Sequence, residues 1–241
     1  MNQKRFNGRA FNELRPISVD WDPMSFSLSS LVFKTGKTSI LCSVSLEDRV
    51  PKWLAGQGKG WLQAEYRLLP GSTPVRQKRE LTHLSGRTQE IQRLISRTLR
   101  SCLEMQVIGE KTLLIDCDVI QADAGTRTAS INGGWIVLKR ACERLLEKGI
   151  ISANPIKFQV AAVSVGLVNG MSLLDLDYEE DSNAEVDLNV ASNSEGGLLE
   201  IQGTAEKEPF SRRKFDELIG LAEKGIGEIN SSQLLSLNEH F

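Results

Sequence analysis

The residues best suited to chemistry lie in one stretch, Asp116-Cys117-Asp118-Val119-Ile120-Gln121-Ala122-Asp123-Ala124-Gly125-Thr126-Arg127-Thr128-Ala129-Ser130. A strand-like run ends in a small polar turn, Gly125-Thr126-Arg127, that feeds directly into a helical pattern. Backbone N–H groups at a helix N-terminus favour an anion, and a glycine lets the backbone approach it. A threonine hydroxyl and an arginine in the same turn add charge-assisted donors. This is the chemistry of a phosphate site, without the Walker or Rossmann glycine pattern. Gly86-Arg87-Thr88 opens another helical pattern. A cation there opposes the helix dipole, so Arg87 either meets an anion or bends away as a surface arginine. Lys34-Thr35-Gly36-Lys37-Thr38 imitates part of a P-loop, but Leu31 stands where the first glycine belongs. Its flanks are two strand patterns, so it reads as a hairpin turn.

Asp175, Asp177, Glu179, Glu180, Asp181, Glu185 and Asp187 crowd thirteen positions. In a strand–loop–strand layout Asp181 and Asp187 converge at the loop mouth. Carboxylate oxygens with room for water suit Mg²⁺, which keeps part of its hydration and bridges to phosphates. The plainer reading is a solvated acidic loop; a phosphate site elsewhere in the chain favours the metal. Only two histidines occur, His83 and His240, and no Ser-His-Asp or Cys-His arrangement is evident. A hydrolase would need a group to activate water. Inorganic phosphate as nucleophile is already an anion at neutral pH and needs arginines to hold it near another phosphorus.

The elements that must position these groups belong to a chain of 241 residues, enough for one large domain or two small ones. Its net charge of −2 gives no overall signal for nucleic-acid binding. The distribution is uneven: residues 49–100 hold 11 Lys/Arg against 3 Asp/Glu, and residues 171–210 hold 11 Asp/Glu against 1 Lys. Such a pair of segments suits a polyanion on one side and a cation on the other, or simply intermingles on a mixed surface. Cys42, Cys102, Cys117 and Cys142 form no CxxC pair and sit among apolar neighbours, which reads as buried reduced thiols. Met1 to Leu14 has no apolar signal core and no run approaches transmembrane length, so no membrane association and a cytoplasmic location are expected.

Strand patterns cover Phe26 to Lys34, Thr38 to Leu46, Gly60 to Leu68, Leu113 to Ile120, Phe158 to Val168, Ser172 to Asp177, Ala184 to Ala191 and Leu198 to Gly203. Helices are expected from near Ser85 to Thr88, with Ile91, Leu94, Ile95, Leu99 and Cys102 on one face, and over Thr128 to Lys148 and Ser211 to Ile229. Residues 70–86, rich in Pro, Gly, Ser and charge, read as an exposed loop. The class is α+β or mixed α/β in one domain, residues 1–241.

In sequence order, several segments resemble the bacterial ribonuclease PH family of phosphorolytic 3′→5′ exoribonucleases. They are Arg15-Pro16, Gly58 to Tyr66, Gly86 to Ile95, the stretch quoted first, Leu174 to Glu185, Asp187 to Val190, Gln202 to Glu206 and Pro209-Phe210-Ser211. The resemblance implies a ribosomal-protein-S5 domain 2-like fold of mixed sheets with helices, and a ring-shaped homohexamer, a trimer of dimers. It implies trimming of tRNA precursors beyond the CCA end, release of nucleoside diphosphates, and reverse addition from diphosphates. Carried over by motif, Arg87 and Gly125, Thr126 and Arg127 bind the attacking phosphate, and Asp181 and Asp187 hold Mg²⁺. The basic stretch with Arg67, Arg76, Lys78 and Arg79 would line a rim of the ring and hold the RNA body. The chain departs from the family at Gly71, where arginine is usual, at Arg67, where glycine is usual, and in a shortened segment around Leu81 to Ser85. Two other readings are a non-catalytic RNA-binding ring subunit of an exosome-like assembly, and a metal-dependent hydrolase using the acidic segment.

Overall fold

The computed structural model describes Arg5 and residues 7–240. Residues 1–4 and 6 of the stretch read as free of a signal core lie outside the described residues. Two sheets organise the chain. The first takes β1 (Ile17–Trp21), β2 (Ser29–Thr35), β3 (Thr38–Glu47), β4 (Trp61–Leu68) and β5 (Thr112–Gln121) in the order β1-β2-β3-β5-β4. The second takes β6 (Val160–Val168), β7 (Met171–Leu174), β8 (Val186–Asn193) and β9 (Leu198–Ala205) in the order β7-β6-β8-β9.

The Thr35-Gly36-Lys37 hairpin forms as expected, with Thr35 opposite Thr38 and Gly36 at φ 55°. β4 and β5 run parallel, and the connection between them carries α1 (Gly86–Ser101) and the short α2 (Met105–Ile108). Ser85 caps α1 by accepting from Thr88 N–H at 3.1 Å, and Ile91, Leu94, Ile95 and Leu99 are buried as the spacing requires. All four cysteines are buried and free.

α3 (Thr126–Glu147) lies between the sheets and packs on β2, β3 and β6. Its first half is buried on almost every side, while its second half carries a polar face of Lys139, Arg140, Glu143, Arg144 and Glu147. Gly133 lets the helix come close: a Cβ there would stand 2.7 Å from Phe33 Cβ and 2.9 Å from Cys42 Sγ. Asn132 binds both backbone groups of Ala162, its side-chain oxygen accepting at 2.8 Å and its amide donating at 2.9 Å. That pair fixes the helix against β6. α5 (Arg212–His240) covers the second sheet with Leu218, Ala222, Ile226 and Ile229. No helix among the described residues is long and apolar enough to cross a membrane.

Several elements differ from expectation, the short α2 among them. β1, not among the expected strands, alternates half-buried Ile17, Val19 and Trp21 with exposed Ser18 and Asp20 at a sheet edge, a period-2 pattern only five residues long. α5 runs beyond Ile229 to His240. Most relevant to function, the acidic segment is not strand–loop–strand. β7 ends at Leu174, and Asp177 caps a short helix, α4 (Tyr178–Asn183). The Asp177 carboxylate accepts from Glu180 N–H, and the Glu180 carboxylate accepts from Asp177 N–H, a reciprocal box hidden among like charges.

Candidate active site

The cleft that gathers the chemistry has a volume of about 800 Å³ and is lined by Arg87, Gly125, Thr126, Arg127, Asp181 and Asp187. Six residues from α1, the β5–α3 turn, α4 and β8 therefore converge as the sequence suggested.

The turn is built under strain. Ala124 and Gly125 both take left-handed backbone, φ 55° and 63°. For the alanine this costs about 1 kcal/mol, and such strain clusters at functional sites. Thr38 holds the turn: its hydroxyl donates to the Ala124 carbonyl at 2.7 Å and accepts from Asp123 N–H at 3.0 Å. Gly125 is the N-cap of α3 and offers no side-chain cap, so the first N–H groups of that helix are left for an anion. Thr126 Oγ1 lies 2.8 Å from the Tyr66 hydroxyl. Burial pushes the Tyr66 phenol up, so it stays neutral; when it donates, the threonine hydrogen is free to meet an anion.

Arg127 is held by two residues to which the sequence reading gave no role. Its Nη1 donates to Gln202 Oε1 at 2.7 Å, and its Nη2 lies 3.1 Å from Glu90 Oε2. Gln202 Nε2 in turn donates to Glu90 Oε1 at 2.9 Å, closing the triangle between α1, α3 and β9. Guanidinium carries five N–H donors, so these two contacts fix its plane and leave three, including a buried Nε–H without a partner. The Arg87 side chain makes no hydrogen bond or ion pair among the described residues, as suits an arginine at a helix N-terminus that would meet an anion. The signal for Glu90 and Gln202 was present only as motif letters; their function is a contact between residues 112 positions apart.

The carboxylates sit opposite. Burial raises the Asp181 carboxyl, while the positive charges of Arg87, Arg127 and Arg15 pull it back. Burial, then the charge of Asp181, pushes Asp187 up to about 6. Asp187 Oδ2 accepts from Asn189 Nδ2 at 3.2 Å, but its buried Oδ1 has no partner. Two carboxylates that resist ionising side by side, one with an orphaned oxygen, fit a hard divalent cation. No group of three or more His, Cys, Asp or Glu suited to a metal occurs among the described residues. A cation here would complete its shell with water and phosphate oxygens, as Mg²⁺ does.

The basic residues divide. Arg76, Lys78 and Arg79 stand exposed on the loop after β4, whose Val75 and Gln77 line the cleft. Arg67 is half-buried on β4, donating to its neighbour's carbonyl, Tyr66 O, at 2.8 Å and lying 3.4 Å from Glu65. Arg67 and Arg79 share the field around Asp118, whose carboxyl burial raises and both arginines lower.

The models of the 3′ exoribonuclease family match this chain, domain 1 over residues 13–143 and domain 2 over residues 159–225. A protein of Parasynechococcus marenigrum named ribonuclease PH is 65% identical over 95% of this chain and 92% of its own. One of Crocosphaera subtropica with the same name is 49% identical over 99% of this chain and all of its own. Among solved structures, rice (Oryza sativa) Rrp46 is similar at TM-score 0.79 and 18% identity, covering 97% of this chain and 100% of that one. An Archaeoglobus fulgidus exosome with RNA bound to the active site is similar at TM-score 0.80 and 18% identity, covering 95% and 92%. These last two likenesses are of fold.

Proposed function

We propose a working site on one premise: the chain belongs to the 3′ exoribonuclease family. It is a phosphate-dependent 3′→5′ exoribonuclease. Arg87, the N–H groups after Gly125, Thr126 and Arg127 bind inorganic phosphate. One of its oxygens attacks the last phosphodiester of an RNA 3′ end. The new P–O bond forms as the P–O3′ bond breaks, a proton reaches O3′, and a nucleoside diphosphate leaves. The gain comes from holding two anions in line and stabilising charge with fixed donors. Because one phosphate linkage replaces another, the reverse addition from diphosphates uses the same groups.

Asp181 and Asp187 would hold Mg²⁺, which when bound would supply positive charge to stabilise the phosphate groups that react. The orphaned Asp187 Oδ1 supports this. The whole chain, residues 1–241, acts as one catalytic domain, a reading supported by the Arg127–Gln202–Glu90 triangle that joins the two family segments. The substrates are tRNA precursors and other RNA 3′ ends, with Arg67, Arg76, Lys78 and Arg79 gripping the RNA body. The assembly is a homohexameric ring, a trimer of dimers, working in the cytoplasm. Apolar Leu198 and Ile201, exposed on the edge strand β9, support a partner on that face.

The observation that carries the reading is the convergence of two anion-ready arginines and two cation-ready carboxylates on one cleft. The test is phosphate dependence. Arg87→Ala and Arg127→Ala should each raise the phosphate KM at least tenfold, with little change in RNA binding, a loss of about 1.4 kcal/mol or more. Unchanged phosphate KM in both would remove the anion site.

A further inference from the structure

The phosphate-binding turn and the helix that carries Asp181 come from distant parts of the chain, and one buried side chain ties them together. Arg15 grips Asp175 with both sides of its fork, Nε to Oδ2 at 3.0 Å and Nη2 to Oδ1 at 2.7 Å. Its backbone N–H adds a third bond to Oδ2 at 2.8 Å. The remaining arm, Nη1, donates to the carbonyl of Asp123 at 2.5 Å, two residues before Gly125. The same guanidinium lies against Gly125 itself, where a Cβ would stand 2.7 Å from Nη2. Asp123 then closes the loop from the other direction: its carboxylate accepts from the N–H of Tyr178, the first residue of α4, at 3.3 Å.

Asp175 is itself fixed from several sides, and its carboxylate also lies 3.8 Å from Arg9 Nη1. It sits between β7 and α4 in left-handed backbone, φ 53°, with its N–H bound to Ser164 O at 2.7 Å. Its carbonyl accepts from Arg5 and Arg9, each at 3.0 Å. Arg15 and Asp175 are each only 5% exposed. A buried ion pair contributes little net stability, because desolvation offsets the attraction. What this one fixes is direction: the planar fork dictates where the turn stands relative to α4.

We propose that Arg15, with Asp123 and Asp175, is a positioning unit that sets the register between the phosphate-binding turn and the Asp181 helix, so that the anion and cation sites form together. This rests on the assignment of those two sites given above. Arg15 acts through the turn and the helix. Its consequence is a coupling: whatever loosens the clamp weakens phosphate and metal affinity in parallel, because both sites depend on one arrangement.

Arg15→Lys keeps the charge and loses the fork; Asp123→Ala removes the second tie and leaves the Arg15–Asp175 pair intact. Phosphorolysis of a short unstructured oligonucleotide is measured with phosphate and Mg²⁺ titrated separately, beside thermal melting. The expected result is that the phosphate KM and the Mg²⁺ half-saturation both rise about fivefold or more in each variant. A merely structural role would instead lower the melting temperature and kcat, through loss of active protein, with both constants unchanged, and that overturns the proposal. So does a rise in one constant alone. Should Arg15→Lys fail to fold, Asp123→Ala decides. Arg127→Ala separates the two levels. If it raises the phosphate KM while both clamp variants leave the constants unchanged, only the positioning role falls. If it too leaves the phosphate KM unchanged, the site assignment falls.

Discussion

Asp187→Asn should make the protein more stable and less active at once. Burial and the Asp181 charge move the Asp187 carboxyl from an ordinary 3.8 to about 6. A difference of about two pKa units corresponds to roughly 3 kcal/mol between protonation states. The sign follows from proton linkage. A carboxyl whose folded pKa is raised binds its proton more tightly when folded, so the penalty is absent below the unfolded value, grows as pH rises, and is complete above the folded one. At pH 7.5 without metal the wild type therefore carries the full cost. Asparagine keeps the shape and removes the charge, but its amide hydrogens must find a partner where Oδ1 now has none. That lowers the net gain to about 1–2 kcal/mol. For a domain of this size the gain raises the melting temperature by about 2–8 °C. Calorimetry in metal-free buffer should show this advantage at pH 7.5 and almost none at pH 5, where the charge penalty is roughly halved while the cost of the amide is not. Added Mg²⁺ should raise the wild-type midpoint at concentrations that leave the variant's nearly unchanged, while phosphorolysis at those concentrations falls at least tenfold in the variant, about 1.4 kcal/mol, and is partly restored by raised Mg²⁺. A variant less stable than wild type at pH 7.5, by an amount independent of pH, would refute the picture of a strained carboxylate waiting for a cation.

Asp181→Asn should lose activity that raised Mg²⁺ or Mn²⁺ partly restores, since one carboxylate remains; wild-type turnover in EDTA would contradict it. Glu90→Gln keeps a hydrogen-bonding side chain but removes the charge facing Arg127, and should raise the phosphate KM severalfold without changing the metal requirement, read from separate titrations. Replacing Arg76 and Arg79 with alanine should leave cleavage of a short unstructured oligonucleotide nearly intact, weaken precursor-tRNA binding and flatten its salt dependence, because fewer counterions are released. Equal losses on both substrates would place those residues in the cleft or an interface instead, and size-exclusion chromatography would tell which.

What was legible in the sequence follows from the range of the forces involved. The β2–β3 hairpin and the start of α1 rest on neighbours in the chain, Gly36 in its turn and Ser85 on Thr88, and so could be read locally. The six residues of the cleft were legible as types whose chemistry is complementary, anion donors and paired acids. α4 was missed because its capping box is written in the same letters as the acidic run around it. Glu90, Gln202 and Tyr66 were silent because their meaning is a tertiary contact. The Arg15–Asp175 clamp spans 160 positions, and nothing near either residue announces the other. The burial that raises Asp187 is likewise a property of the folded cleft and not of the residues beside it in the chain.

The central claim is that inorganic phosphate, seated at Arg87 and the Gly125–Arg127 turn, is the nucleophile. It is tested most directly by following radiolabelled inorganic phosphate during digestion of an unlabelled RNA. The label should enter the β-phosphate of released nucleoside diphosphates, and Arg127→Ala should slow that transfer at least tenfold at low phosphate. Release of unlabelled nucleoside monophosphates at the same rate with and without phosphate would contradict it.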